Sequence, residues 1–282
     1  MSARALHYLR RGQGPALMLL HGFTGTGQDM ARVAGALDAD FDIIVPDLPG
    51  HGKSVGDAGV TAYGFEDCVD RLAATLEATG HHRAHWLGYS MGARLALGCA
   101  VRHPESVASL LLIGARAGIE DPDERVSRRR ADEALADRIE AMGMEAFVTE
   151  WLGQSLFASQ RRLGREFLEE RRRERLVNDA HELAASLRGT GPGAQPSLYG
   201  ALARVDVPVL LVAGSLDTTF VGYARDLARR LPDAEVCEIA DAGHAVHLEQ
   251  PVAFIDAARK FLRRATDPAR VHHSIKVEET PS

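Results

Sequence analysis

A Gly-x-Ser-x-Gly pentapeptide between a strand-like and a helix-like segment constrains this chain more than any other feature. It occupies residues 88–92, after the apolar run 84–87 and before the helix-forming run 93–101. A strand that turns at once into a helix around a serine is the context of a nucleophile elbow. The two glycines suit a turn so tight that a Cβ atom would collide with neighbouring backbone. Ser90 is therefore a candidate nucleophile, although the pentapeptide alone often marks only a tight turn.

Two backbone N–H groups are candidates for the oxyanion hole that such a serine needs. Met91 follows the serine at the start of the predicted helix, where N–H groups and the positive end of the dipole are free. The apolar run 16–20 predicts a buried strand that leads into His21 and Gly22, the position where this architecture keeps its second donor. We assign that role to the N–H of Phe23. The alternative is a strand-to-helix turn that simply needs glycine.

An aspartate and a histidine follow two later predicted strands and complete a candidate catalytic triad. Asp217 follows the apolar run 207–214, and His244 follows the short strand predicted at 235–239. Because the carboxyl ends of parallel strands meet at one edge of a sheet, we expect both side chains to lie beside Ser90. His244 would take the proton from the serine hydroxyl while Asp217 orients the imidazole. The order Ser, Asp, His along the chain is that of the α/β-hydrolase fold.

The alternation of strand and helix patterns predicts an α/β protein whose mainly parallel sheet is flanked by helices. This alternation stops between residues 119 and 187, where only charged, arginine-rich helical sequence occurs. We interpret that segment as a helical cap inserted into an α/β-hydrolase core. The predicted boundaries are 1–116 and 197–265 for the two parts of the core, 117–196 for the cap, and 266–282 for a disordered tail.

Composition argues against several other classes of protein. With 282 residues, of which 45% are hydrophobic and 26% charged, the chain is long enough for one large domain that carries an insertion. We find neither an apolar run of bilayer length nor the apolar region of a signal peptide, so we expect a cytoplasmic protein without a membrane partner. The formal net charge of −6 argues against nucleic acid as a partner.

Two further patterns are interpreted as structural. The segment 47–54 ends in Gly-Lys-Ser, but Asp47 stands where a phosphate-binding loop needs glycine. His81, His82 and His85 lack nearby cysteine or carboxylate ligands in the sequence, which favours a solvated turn over a metal site. We therefore predict no metal.

Arginine residues indicate that the predicted active site binds an anion. Arg94 lies one turn into the helix that begins at Ser90, where the positive end of the dipole disfavours a cation. The cap segment adds a cluster of arginines, any one of which could bind a carboxylate bidentately if it turned into the pocket. These are Arg125, Arg128, Arg129 and Arg130. Such a run is usually a solvated helix face, so the residue that faces the pocket stays open here.

From about residue 20 to residue 262 the chain resembles the 2-succinyl-6-hydroxy-2,4-cyclohexadiene-1-carboxylate synthases, which are α/β-hydrolase-fold lyases of menaquinone biosynthesis. The resemblance rests on His-Gly-Phe-Thr-Gly at 21–25, Gly-Tyr-Ser-Met-Gly-Ala-Arg at 88–94, Trp-Leu-Gly-Gln-Ser-Leu-Phe-Ala-Ser at 151–159 and Gln-Pro-Ser-Leu at 195–198. The arginine four positions after the serine and the Trp-to-Phe-Ala-Ser spacing are more specific than the triad. Ala93 stands where the family usually has glycine, and Tyr199 where it often has tryptophan.

The resemblance implies an elimination, without metal or organic cofactor, that releases pyruvate from 2-succinyl-5-enolpyruvyl-6-hydroxy-3-cyclohexene-1-carboxylate. Ser90, activated by His244 and Asp217, would act as a base on a carbon acid, and the oxyanion donors would stabilise an enolate-like charge. The expected partner is thus a small-molecule polycarboxylate. By position in the family's motifs, the substrate-binding residues are Tyr89, Arg94, Arg128, Trp151 and Phe157.

Two other functions stay open at this point. A serine carboxylesterase or carbon–carbon bond hydrolase acting on a small acidic substrate would use Ser90 covalently and would show a burst of acyl-enzyme with activated esters. A non-catalytic receptor on the same fold would bind a small acidic ligand without turnover, and the complete triad argues against it. In either case we expect a monomer or a weak homo-oligomer.

Overall fold

One seven-stranded sheet runs through the protein, for which a computed structural model describes residues 4–56 and 63–267. Its strands are β1 (Tyr8–Arg11), β2 (Ala16–Leu20), β3 (Asp42–Pro46), β4 (Ala84–Tyr89), β5 (Val107–Ile113), β6 (Val209–Gly214) and β7 (Ala234–Ile239). Their order across the sheet is β1-β3-β2-β4-β5-β6-β7, and every neighbouring pair is parallel except β1 and β3. The prediction of a mainly parallel sheet in an α/β-hydrolase fold is confirmed.

Helices cover both faces of this sheet. The α-helices are α1 (Ala31–Leu37), α2 (Phe65–Ala78), α3 (Met91–Arg102), α4 (Pro122–Leu152), α5 (Arg165–Arg175), α6 (Ala180–Thr190), α7 (Thr218–Arg230), α8 (Val246–Glu249) and α9 (Pro251–Thr266). Short 3-10 helices occur at Gly27–Met30, Pro104–Ser106, Ser155–Leu163 and Tyr199–Arg204. Across residues 4–56 and 63–267, no helix combines the length and the apolar character that a membrane span requires.

Strands that are apolar on both faces explain why the sheet is covered twice. In β2, Met18 and Leu20 pack with residues of α2, α3 and α7, while Leu17 and Leu19 pack with residues of α1 and α9. All four side chains are fully buried. Successive side chains of a strand point to opposite faces, so a continuous apolar run needs a helical layer on each side. The side chains of β5 alternate in the same way between the two helical layers.

A helical segment lies between β5 and β6. It comprises α4, the 3-10 helix Ser155–Leu163, α5 and α6, and α4 is interrupted at Gly143, whose φ is 73°. Helices α4 and α6 bury an apolar core of their own that includes Ile139, Phe147 and Leu183. Within the described residues this segment contains helices and turns alone. We propose that it is the predicted cap, with the boundaries given above.

The ends of several elements differ from the prediction. The strand expected from Ala5 begins at Tyr8, and α8 was not predicted because it has only four residues. Thr266, which was expected to begin the disordered tail, instead ends α9, where its hydroxyl donates to the carbonyl oxygen of Leu262 at 2.7 Å. Residues 268–282 of the predicted tail lie outside the described residues.

A buried carboxylate joins β1, β3 and the turn before β4. The Arg10 guanidinium donates to Asp42 through Nε at 3.0 Å and through Nη2 at 2.6 Å, and His81 Nε2 donates to the same carboxylate at 2.7 Å. These hydrogen bonds, led by that of Arg10, outweigh burial and lower the pKa of Asp42. The hydrogen bond between His81 and Asp42 was not predicted, because the two residues are distant in sequence.

We expect Asp42→Asn to lower the free energy of unfolding at pH 7 by about 1–3 kcal/mol, because the change weakens a buried, charge-assisted network. A lowered folded-state pKa means that this stabilisation is complete above the unfolded-state pKa near 3.9 and is lost as the pH falls from there toward the folded-state pKa. Urea unfolding of both proteins at about pH 7 and about pH 3 measures the difference.

The control is Asp226→Asn, which removes a carboxylate that contacts Arg229 and Arg230 at the surface of α7. Exposed pairs of this kind contribute about 0–1 kcal/mol, so a much smaller effect is expected. A gap between wild type and Asp42→Asn that stays the same at both pH values would contradict the assignment.

Candidate active site

A steric constraint at the junction of β4 and α3 builds the serine elbow. Ser90 has a φ of 51° and a ψ of −105°, and its N–H donates to the carbonyl oxygen of Ile113 at 2.8 Å. A Cβ atom on Gly88 would collide with the backbone of Gly92, and one on Gly92 would collide with the carbonyl oxygen of Leu20. Only glycine fits at both positions, so the serine hydroxyl is held clear of the turn.

His244 connects the serine to Asp217. Its Nε2 lies 3.0 Å from the Ser90 hydroxyl oxygen, and its Nδ1 lies 2.9 Å from Asp217 Oδ2. The other carboxylate oxygen of Asp217 accepts from the N–H of Phe220 at 3.3 Å and caps α7. A carboxylate can only accept, so Nδ1 carries the proton and Nε2 is free to receive one from the serine.

A second carboxylate holds the loop that carries His244. The side chain of Glu249 is fully buried and accepts from the N–H of Gly243 at 2.8 Å and from that of Ala245 at 3.4 Å. Arg162, from the helical segment between β5 and β6, donates to the same carboxylate at 3.0 Å. The backbone is thus fixed on both sides of the histidine. The sequence offered no local signal for this role, because the partners meet only in the folded chain.

The two predicted oxyanion donors both lie in the wall of the cavity beside the serine. None of the described residues accepts a hydrogen bond from the N–H of Phe23 or Met91. His21, which precedes Phe23, is buried, receives a hydrogen bond from Leu48 N at 2.9 Å and donates to the carbonyl oxygen of Gly22 at 2.8 Å. Burial lowers its pKa, so the imidazole stays neutral and fixes the loop.

A cavity of about 430 Å³ lies over Ser90 and is bounded by residues of the core and of the helical segment. The Trp151 ring forms part of its apolar wall, 5.4 Å from the Phe23 ring and 5.8 Å from the Phe157 ring. The Tyr89 ring lies 5.4 Å from the His244 ring. All five residues that the resemblance named as substrate-binding line this cavity, namely Tyr89, Arg94, Arg128, Trp151 and Phe157.

Three arginines give the cavity a positive charge. Arg94, Arg116 and Arg128 line it, and none of its described lining residues is an aspartate or a glutamate. Arg94 Nη1 donates to the carbonyl oxygen of Thr190 at 2.7 Å and to Gln195 Oε1 at 3.0 Å, which orients the guanidinium. Burial is the main cause that lowers the pKa of Arg94 to about 10, so this side chain is still charged at neutral pH.

Hydrogen bonds through Asp132 hold one of the clustered arginines, Arg128, at the cavity. Arg128 Nε donates to Asp132 Oδ1 at 2.7 Å, and Asp132 Oδ2 accepts from the N–H of Gly193 at 2.8 Å. Arg129 points elsewhere and pairs with Glu133 at 3.2 Å. Of the four arginines considered from sequence, Arg128 is the one in the described cavity wall.

Several cavity residues had no role in the sequence analysis. Gln195 belonged to a family motif without a function, and Arg116, Phe220 and Tyr223 were not considered. The Phe220 ring lies 4.4 Å from the His244 ring, so it packs directly against the histidine. Arg116 could have been found, because it comes just after β5 at the same edge of the sheet as the triad.

The structure also shows the two patterns that were interpreted as structural, the loop 47–54 and the histidines near residue 81. Asp47 is the first residue of the loop and ties it together by accepting from Gly27 N at 2.8 Å and from Lys53 N at 3.0 Å. A carboxylate in that position would repel a phosphate. In the described part of the chain, no group of three or more His, Cys, Asp or Glu side chains could hold a metal ion.

Comparison with known proteins places these features in a family. The model of the alpha/beta hydrolase fold family matches residues 15–251. A Bacillus subtilis (strain 168) protein, provisionally named 2-succinyl-6-hydroxy-2,4-cyclohexadiene-1-carboxylate synthase, is 36% identical over 261 residues, which cover 91% of this chain and 95% of that protein. A protein of Yersinia pestis bv. Antiqua (strain Nepal516) named as that synthase is also 36% identical over 261 residues, 90% of this chain and 89% of its own. The solved structure of MenH from S. aureus is similar with a TM-score of 0.89 and 29% identity, covering 93% of this chain and 99% of that one.

We expect Glu249→Gln to slow the reaction of Ser90 with an organophosphonate at least tenfold, or about 1.4 kcal/mol. Glutamine has a single acceptor oxygen, so one of the two N–H groups beside His244 loses its partner and the loop shifts. The rate of labelling, followed by intact-protein mass, measures the effect. Glu238→Gln, a change in an exposed residue of β7, is the control. Labelling of Glu249→Gln at the wild-type rate would show that the loop is held by other contacts.

Proposed function

This chain belongs to the 2-succinyl-6-hydroxy-2,4-cyclohexadiene-1-carboxylate synthase family of α/β-hydrolases, and on that premise we propose that it eliminates pyruvate from 2-succinyl-5-enolpyruvyl-6-hydroxy-3-cyclohexene-1-carboxylate in menaquinone biosynthesis. The observation that carries the proposal is a single cavity that joins the Ser90–His244 pair to Arg94 and Arg128, without an acidic residue among its described lining. An esterase of simple neutral esters has no need of such a charge.

The chemistry of the substrate matches the character of this cavity. The substrate carries a carboxylate on the ring, one on the succinyl chain and one on the enolpyruvyl group. Arginine guanidinium groups bind carboxylates through paired hydrogen bonds, which suits Arg94 and Arg128 to this task. The ring itself is apolar apart from its hydroxyl, and Trp151, Phe157 and Tyr89 offer it an aromatic surface.

The positions of the double bonds identify the proton that must be removed. The substrate has a double bond between C3 and C4, whereas the product has double bonds between C2 and C3 and between C4 and C5. The C2–H and C5–O bonds therefore break, and the enolpyruvyl group leaves from C5. The hydrogen on C2 is acidic because the ketone of the succinyl group is attached to the same carbon.

Ser90 acts as the base in this proposal. Its oxygen takes the C2 proton while its own proton passes to His244 Nε2, 3.0 Å away, and Asp217 stabilises the imidazolium. The negative charge that develops on the succinyl ketone oxygen is stabilised by the N–H groups of Phe23 and Met91. The electron pair then shifts along the ring and expels the enolate of pyruvate. This enolate receives the proton from His244 to give pyruvate, which restores the triad.

The same proposal sets the partners and the location. The balanced reaction transfers no electrons to an acceptor, so it requires no redox cofactor. We assign the protein a small-molecule polycarboxylate partner, no nucleic acid or membrane partner, a cytoplasmic location and a monomeric or weakly homo-oligomeric state. The net charge of −6 and the free thiols of Cys99 and Cys237 support this assignment.

The proposal predicts that Ser90→Ala and Arg94→Ala each slow single-turnover release of pyruvate about a hundredfold. That factor corresponds to about 3 kcal/mol of transition-state stabilisation, from the lost base in one variant and the lost carboxylate contact in the other. Rapid quenching followed by assay of free pyruvate gives the rates. Arg229→Ala, at the exposed end of α7, is a control expected to keep the wild-type rate.

A wild-type protein that is inert toward this substrate would overturn the proposed function. The same preparation mixed with a p-nitrophenyl ester distinguishes the carboxylesterase, which would show a burst of nitrophenol as the acyl-enzyme accumulates. Circular dichroism of each variant shows whether loss of activity follows from loss of the fold.

A further inference from the structure

We propose that Arg116 is a further substrate-binding residue, which binds one carboxylate of the substrate on the side of the cavity formed by the loop after β5. The inference rests on the proposed function, because it assumes a substrate with several carboxylates. It goes beyond that function by adding a third cation to the site, from a loop of the core.

The loop after β5 passes against the catalytic histidine before it reaches Arg116. A Cβ atom placed on Gly114 would lie 2.7 Å from His244 Cε1, so the loop runs against the imidazole ring. Two aromatic side chains continue this contact, since the Phe220 ring lies 4.4 Å from His244 and 5.5 Å from Tyr223. The guanidinium carbon of Arg116 lies 4.9 Å from the centre of the Tyr223 ring. These ring contacts hold the Arg116 guanidinium against α7, which carries both aromatic residues.

The hydrogen bonds of Arg116 leave one nitrogen for a ligand. Its Nε donates to the carbonyl oxygen of Gly118 at 2.9 Å, and its Nη2 donates to Glu124 Oε1 at 2.8 Å. Nη1 has no acceptor among the residues of the described ranges, although the side chain is only 18% exposed. The guanidinium is therefore held in position with free donors. Glu124 is more than half exposed, and such surface pairs contribute little, so the positive charge is not cancelled.

The distribution of acidic residues decides on which side of Arg116 an anion can bind. A second cavity of about 580 Å³ shares the wall that Arg116 forms, and four acidic residues line it, namely Glu120, Asp121, Glu124 and Asp226. Their charge would repel a carboxylate. The cavity over Ser90 has no acidic residue in its described lining, and its other cations are Arg94 and Arg128. An anion is thus favoured only on the inner side.

The number of cations then equals the number of substrate carboxylates. Arg94 and Arg128 can each bind one, which would leave the third carboxylate in the cavity without a cation. Burial of an unpaired carboxylate is costly, so the site needs the charge that Arg116 supplies. Burial is the main cause of the lowered pKa of Arg94, Asp132 raises this pKa, and Arg128 and Arg116 each lower it by a smaller amount, so the cations oppose one another in the free protein. A bound polycarboxylate relieves that repulsion.

Steady-state kinetics of pyruvate release tests the proposal with two variants. Arg116→Gln should raise KM for the substrate at least tenfold while kcat changes less than threefold, because Arg116 contacts a carboxylate and not the reacting atoms. Arg116→Lys keeps the charge but not the planar fork, so its KM should fall between those of wild type and Arg116→Gln. A wild-type KM for Arg116→Gln would overturn the inference.

Two controls separate binding from structure. Arg225→Gln makes the same change of charge on an exposed residue of α7 and should leave KM unchanged. Glu124→Gln keeps an acceptor oxygen for Arg116 Nη2 but removes the negative charge outside the cavity, so it should also leave KM close to the wild-type value. If Glu124→Gln raises KM as much as Arg116→Gln does, Arg116 acts only by tying the loop to α4, and the inference is wrong.

Inhibition by the reaction product identifies the carboxylate. The product keeps the ring and succinyl carboxylates but lacks the enolpyruvyl group. If Arg116→Gln weakens product inhibition as strongly as it raises KM, Arg116 binds one of the two retained carboxylates. If product inhibition is unchanged, Arg116 binds the carboxylate of the leaving group.

A binding measurement keeps this inference distinct from the proposed function. Titration with citrate, a tricarboxylate, followed by tryptophan fluorescence, reports occupancy of the cavity because Trp151 lies in its wall. We expect Arg116→Gln to weaken citrate binding at least tenfold, and equal affinity would count against Arg116. A wild-type protein that binds citrate through Arg116 but releases no pyruvate would overturn the proposed function and leave Arg116 as an anion-binding residue.

Discussion

The close approach of the first turn of α3 to the end of β2 is the constraint on which the rest of the site depends. It requires glycine at position 92, and it places Ser90 in a conformation that few residues with a side chain adopt. Such a conformation persists only where surrounding contacts enforce it, and here the buried strands β2, β4 and β5 enforce it. The serine hydroxyl thus lies at the carboxyl edge of the sheet, where β6 and β7 deliver Asp217 and His244.

The helical segment between β5 and β6 does more than cover this edge. Its Arg162 reaches the buried Glu249, which fixes the loop of His244, and the carbonyl oxygen of Thr190 at the end of α6 orients Arg94. The segment also supplies Arg128 and two aromatic residues of the cavity wall, Trp151 and Phe157. Displacement of this segment would therefore change the charge of the cavity and the support of the histidine together, which links substrate binding to the geometry of the triad.

The sequence was informative wherever a function depends on local pattern. Glycine spacing around Ser90 and the rule that catalytic groups follow parallel strands identified three side chains that the fold brings within hydrogen-bonding distance. Contacts between distant segments could not be read in this way. Glu249 acquires its role only when the loop of His244 folds over it, and His81 meets Asp42 only because β3 and the turn before β4 are neighbours. Which cap arginine faces the cavity was equally undecided.

The electrostatics of the cavity bear on how a serine can serve as a base. On the proposed function, proton transfer through Ser90 ends with a positive imidazolium in a cavity that already holds three guanidinium groups. Asp217 contributes a carboxylate beside that imidazolium through its hydrogen bond to Nδ1. A polycarboxylate adds further negative charge, because each bound carboxylate neutralises a guanidinium in the same cavity. On the proposed function, the substrate would then complete the electrostatic environment that its own deprotonation requires, and a neutral ligand of similar shape would not.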